Sequence, residues 1–135
     1  MNKHHLGTLL LRLTVGITFF LHGLAKFQGG IENTVGFFDS IGIPGFMAYV
    51  IAIIELVGGI MMILGFKTKI VGWLFVAILA VAIFKVKLAA GFMGDGKSAG
   101  YEFDVLLLVA SLFFALANDS IYAIDHKFSN RKERV

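Results

Sequence analysis

Three side chains able to bind or move protons fall within one oily stretch. Arg12, His22 and Lys26 sit in RLTVGITFFLHGLAKF, residues 12–27, inside an apolar run that begins at Leu6. Placing an ionisable group in hydrocarbon costs a few kcal/mol or more, so each implies a buried partner or a watery cavity. A second apolar run, from about Gly45 to Leu64, holds one charge, Glu55. At ~100° per residue, Arg12, Gly16, Phe19, Gly23 and Lys26 share one helical stripe. Ala48, Ala52, Glu55, Gly59 and Met62 share another with the same spacing. Small residues in such stripes let membrane helices approach closely, and single buried charges on adjacent helices should pair. At ~1.5 Å rise per residue the long Arg12 side chain reaches toward the depth of Glu55. The sequence therefore predicts an Arg12–Glu55 structural ion pair. Such a pair either fixes helix packing alone or also leaves Glu55 as a proton carrier or ligand-binding carboxylate.

The remaining polar residues of the apolar segments gather toward the other end of the first run. His22, Lys26, Lys85, Lys87, Glu102 and Asp104 all lie within a few turns of it. Histidine and carboxylates transfer protons, and histidine can hydrogen-bond a quinone carbonyl. The expectation is a cavity in which His22, Glu55 and Glu102 handle protons and Lys26, Lys87 and Asp104 contact a ligand. Phenylalanines near His22 would form a slot for a flat ring. The lysines could instead snorkel to lipid headgroups. Asp104 shares a stripe with Leu108, Ser111 and Ala115 and so faces the bundle, with Glu102 roughly opposite. No metal site is expected, because His22 is the sole histidine inside an apolar run and no ligand spacing supports one. Cysteine is absent, which excludes thiol redox chemistry and Cys-ligated centres within this chain.

These residues must be positioned by membrane helices. The 135 residues are 58% hydrophobic and 16% charged, with a mean hydropathy of +0.85. A bilayer core of about 30 Å needs roughly 20 apolar residues per helix. The expectation is an all-α, antiparallel, integral-membrane four-helix bundle in one domain, residues 1–135. Its spans fall at about 6–27, 45–64, 70–88 and 101–117, with a polar basic tail over 118–135. No A-x-A-like site follows the first run, so it is taken as a span and not a cleaved signal. Between the first two spans, Asn33 could cap a short amphipathic turn presenting Val35, Phe37, Phe38 and Ile41 to the interface. With both termini inside, the inner face holds Lys3, Lys67, Lys69, Lys127, Arg131, Lys132 and Arg134. The positive-inside rule then gives an N-in, C-in protein. The formal charge of +3 forms no basic stripe, so nucleic acid is not an expected partner.

Two motifs are discounted. GFMGDGKS, residues 91–98, matches the phosphate-binding pattern G-x-x-x-x-G-K-[ST], but that pattern needs a preceding strand. Asn118-Asp119-Ser120 is a formal glycosylation site on the expected inner face.

Four segments taken together resemble the DoxX family of small four-helix membrane proteins: LLLRLTVGITFFLHGLAKF, FFDSIGIPGF, IELVGGIMMILGFKTK and GYEFDVLLL. The resemblance spans nearly the whole chain. It implies a multi-pass protein of the bacterial plasma membrane, described in the family as oxidoreductase-like. Relatives serve as subunits of thiosulfate:quinone oxidoreductases, and some are linked to resistance to catechols, quinones or thiol stress. The matching positions are Arg12, Gly16, His22, Gly23, Lys26, Glu55, Gly58, Gly59, Tyr101 and Glu102, which adds Gly23 and Tyr101 to the expected ligand-contacting set. The chain departs from the pattern at Lys87, where many relatives carry histidine. Lysine cannot shuttle protons near neutral pH without a large pKa shift.

The expected function is a membrane oxidoreductase, or a subunit of a redox complex, acting on quinone- or catechol-type compounds in redox-stress resistance. A membrane quinone is the expected cofactor, and the bilayer, a soluble redox enzyme and further copies of the chain are the expected partners. Alternatives are a non-catalytic anchor for a soluble redox enzyme, or a small-molecule transporter acting as an oligomer.

Overall fold

The computed structural model describes residues 2–117 and Ile124. The expected basic tail and the Asn118-Asp119-Ser120 site lie outside the described residues, Ile124 apart. Among the described residues the regular structure is wholly helical. The α-helices are α1 (Lys3–Gln28), α2 (Ile31–Ser40), α3 (Met47–Leu64), α4 (Thr68–Ala82) and α5 (Glu102–Leu116). A π turn (Ile83–Lys87) and a 3-10 turn (Leu88–Ala90) prolong α4.

Each boundary has a local cause. The first helix starts before Leu6 because the Asn2 side chain accepts from the His4 amide at 2.8 Å, satisfying a donor that a helix start leaves unpaired. Gly30, at φ +88°, turns the chain into α2. This helix is longer than the expected turn or two, and Asn33 does not cap it; its Nδ2 donates back to the Gly29 carbonyl at 2.9 Å. The third helix ends in a Schellman turn. Gly65 there takes the left-handed conformation, and the Phe66 amide reaches the Met61 carbonyl at 2.8 Å.

The helices α1, α3 and the segment Thr68–Ala90 are each long and apolar enough to cross a membrane. Their outward faces carry side chains such as Leu10, Ile53, Ile60 and Ile70, all more than two-fifths exposed. At 15 residues, α5 is about 22 Å long, short of the ~30 Å hydrocarbon core.

The two small-residue stripes form the α1–α3 seam. A Cβ on Gly16 would stand 2.8 Å from the Gly59 carbonyl oxygen, and one on Gly23 would stand 2.7 Å from the Leu56 nitrogen. The two backbones therefore touch, as side-chain-free positions permit. Higher residue numbers on α1 meet lower ones on α3. Gly72 plays the same part between α4 and α5, where a Cβ would lie 2.8 Å from the Ser111 carbonyl oxygen. The middle of the bundle is solid. Phe19 of α1 stacks on Phe75 of α4 at a centroid distance of 3.6 Å, and Val15, Met62 and Val71 are buried beside them.

Candidate functional site

Glu55 lies on the α1–α3 seam, opposite Gly23, whose missing side chain leaves the Glu55 Cβ 3.1 Å from where a methyl would stand. Lys26, one turn beyond Gly23, reaches back and places Nζ 2.8 Å from Glu55 Oε2. The expected Arg12–Glu55 pair is thus corrected: the partner of Glu55 is Lys26. The physical reason is register. Gly23 is the residue of α1 that faces Glu55, and Arg12 lies eleven residues earlier, about 16 Å along the axis. That gap exceeds the reach of the guanidinium. Arg12 is only 2% exposed, buried toward the opposite end of the bundle.

A second ion pair joins α4 to α5. Lys87 Nζ stands 2.8 Å from Asp104 Oδ2. The π turn over Ile83–Lys87 accommodates an extra residue per turn. It rotates the end of the helix backward round the axis, a device that recurs at functional sites. Lys87 thereby points into the bundle, on the side of Leu79 and Ile83, which are buried. Lys85, two positions earlier, faces outward and is exposed, as a snorkelling lysine would be.

Both pairs border one cavity of about 170 Å³. Phe19, Leu79 and Leu107 give it an apolar lining, and His22, Lys26, Glu55, Lys87 and Asp104 give it polar groups. Among the described residues none hydrogen-bonds the His22 imidazole, which leaves both ring nitrogens for a guest. The buried carboxylates are the well-covered members of the pairs. Glu55 and Asp104 side chains are 7% and 9% exposed, against 24% and 30% for Lys26 and Lys87. The four charges sum to zero.

The sequence-predicted residues therefore divide. His22, Lys26, Glu55, Lys87 and Asp104 come together, with Gly23 backing Glu55. Glu102 does not line the cavity: it opens α5, is exposed, and donates its amide to the Phe92 carbonyl. Nor does Tyr101, which packs edge-on against Phe92 at 5.6 Å. Glu102 sits roughly opposite Asp104 on the first turn of α5. No cluster of His, Cys, Asp or Glu suited to a metal occurs among the described residues.

The loop containing GFMGDGKS holds no phosphate cradle. It follows a 3-10 turn and not a strand. The amides of Lys97 and Ser98 donate instead to Asp95 Oδ1, at 3.0 and 2.7 Å. Those two bonds hold the Asp95 carboxyl below its ordinary value of 3.8.

The DoxX family model matches residues 7–88, which takes in α1 from Gly7 onward, all of α2, α3 and α4, and the Lys26–Glu55 pair. The chain belongs to the DoxX family. A relative from Bacillus subtilis, named "Putative oxidoreductase CatD", is 54% identical over 126 residues, covering 93% of this chain and 90% of its own length. An uncharacterized protein of Haemophilus influenzae is 32% identical, with 87% of each chain covered. An uncharacterized membrane protein of Mycobacterium tuberculosis is 28% identical, over 93% of this chain and 83% of its own. No solved structure matches. As a DoxX protein with three helices of spanning length among its described residues, the chain is a multi-pass membrane protein.

Proposed function

We propose that this DoxX protein is a plasma-membrane oxidoreductase subunit that binds the ring of a quinone or catechol between Lys26–Glu55 and Lys87–Asp104. The observation that carries the reading is the convergence of two ion pairs and an unbonded histidine on one ring-sized cavity. A cavity of roughly 150 Å³ holds a benzene-sized ring, close to the volume found here. The apolar walls take the faces of the ring, and the polar groups take its oxygens.

Oxidising a catechol or quinol to the quinone removes two protons and two electrons. Glu55 and His22 accept the protons from the two hydroxyls, and Lys26 holds the Glu55 carboxyl beside the cavity. The electrons leave to a soluble redox protein at the membrane surface. Reduction runs the same steps backward. The name of the Bacillus subtilis relative supports the redox reading, and the role of quinone or catechol rests on the cavity chemistry alone.

The proposed setting is a single domain with four spans. The short α5 completes the set by packing along α4 at Gly72. With the Lys67–Lys69 turn and the N-terminus on the cytoplasmic face, the cavity opens toward the outer leaflet. Association with further copies of the chain is compatible with the broad apolar exterior.

The test is ligand binding by the purified protein in nanodiscs, using menadione and catechol as probes. Saturable binding of at least one, lost in Glu55→Gln, is the expected result. Failure of the wild-type protein to bind either overturns the reading.

A further inference from the structure

Two further hollows lie nearby, one bordering the Lys26–Glu55 pair and the other bordering that first hollow. The first, also about 170 Å³, lies under α2. Lys26 and Glu55 wall it together with Phe37, Phe38, Ile51 and Val81. Ile78, Ala82 and Val86 wall this chamber and the ring cavity alike, so the two flank one ion pair. The second hollow is a groove of about 520 Å³ on the outer surface between α3 and α4. Its lining is apolar throughout, and Ile43, Ile51, Ile78 and Val81 belong to it and to the α2 chamber. The three spaces thus form a series. It begins at the surface that faces lipid, passes beneath an amphipathic helix, and ends at charged groups.

We infer that this series is a lateral route from the bilayer, and that the groove holds the prenyl tail of a membrane quinone while its ring occupies the ion-paired cavity. The inference rests on the ring-site reading above and adds the tail, the route and a selectivity for tailed ligands. Two arguments choose this occupant. The cavity charges cancel, Lys26 and Lys87 against Glu55 and Asp104, so a phosphate-bearing lipid head finds no net positive field and a neutral ring oxygen suits the donors better. The groove offers no polar group along its length, so only a hydrocarbon chain leaves nothing unpaired there. At 520 Å³ it lies in the range of small-molecule sites and is three times the ring cavity. The amphipathic α2, with Phe38 buried and Phe37 exposed, roofs the passage at the membrane surface.

The experiment compares menadione with a menaquinone that carries the same ring and a prenyl tail, in nanodiscs of fixed lipid. Ala77→Trp fills the groove from α4, away from every ion-paired residue; Val50→Trp fills it from α3. The expected result is that each variant weakens the prenylated ligand by about tenfold or more and leaves menadione within about twofold of wild type. Val50→Trp serves if Ala77→Trp does not fold. The route is overturned if the prenylated ligand is unaffected, or if both ligands weaken alike. If neither ligand binds the wild type, the ring-site reading itself falls, and the route with it.

Discussion

Lys26 and Glu55 stand 29 positions apart in the chain and are joined at 2.8 Å across the seam of α1 and α3. Neither charge is stable alone at that depth. Truncating one member of a covered pair strands the other, a loss of about 3–5 kcal/mol for full burial. Lys26 is about a quarter exposed, so a smaller cost applies here. Lys26→Met is expected to lower stability by about 1–3 kcal/mol, and adding Glu55→Gln is expected to restore most of it. Thermal unfolding of both single variants and the double variant in detergent gives the coupling. Additive losses would mean that the two side chains do not depend on each other.

Backbone contact at the seam makes a second prediction. Gly23→Val places carbon where the Leu56 nitrogen stands at 2.7 Å, so α1 must move off α3. A stability loss of about 2 kcal/mol or more is expected, as for other overpacked sites. Gly7→Ala, with nothing within 4 Å, is the uncrowded control and should be neutral or stabilising by up to about 1 kcal/mol. Equal melting temperatures for the two variants would contradict the observed seam.

The π turn makes a third. Deleting Phe84 removes the extra residue, so an ordinary α turn should form and Lys87 should stay opposite Asp104. Deleting Phe84 together with Val86 removes one residue more and should swing Lys87 by ~100° away from Asp104. The carboxylate so stranded should cost about 2–3 kcal/mol, and Asp104→Asn in the double-deletion background should recover most of that loss. A single deletion as damaging as the double one would show that the π turn does not aim Lys87.

The loop after α4 supplies a pH dependence. The amides of Lys97 and Ser98 favour the ionised form of Asp95 and depress its pKa. The contribution of Asp95 is therefore full above the ordinary carboxylate value and is lost as pH falls through the lower folded value. The protection of the Lys97 and Ser98 amides, taken relative to the intrinsic exchange rate at each pH, should be higher near neutrality and fall in acid. Asp95→Asn should weaken the dependence. Identical exchange profiles for the two proteins would refute the assignment.

The three long helices are legible in the sequence because an apolar run of about 20 residues admits few structures. The paired stripes are legible too, and so is the inward turn of Asp104 against the outward turn of Glu102. The partner of Glu55 is missed when depth is counted from side-chain length alone. Laying the two stripes in opposite directions sets Gly16 against Gly59 and Gly23 against Ala52 and Glu55, with Lys26 next. The pairing of Lys87 has no such signal. IFKVK contains nothing that marks a π turn, whose cause lies in packing and not in local preference. The full length of α2 escapes because Gly29-Gly30 suggests a loop, whereas the positive φ of Gly30 merely starts the helix.

The stacked rings of Phe19 and Phe75 bear on bioenergetics. They close the bundle between the ring cavity and the end where Arg12 is buried, and a stopper of hydrocarbon conducts neither water nor ions. Under the ring chemistry proposed above, protons released or consumed beside Glu55 would come from and return to a single compartment. Their movement would then be electrically silent, neither drawing on the membrane voltage nor building it.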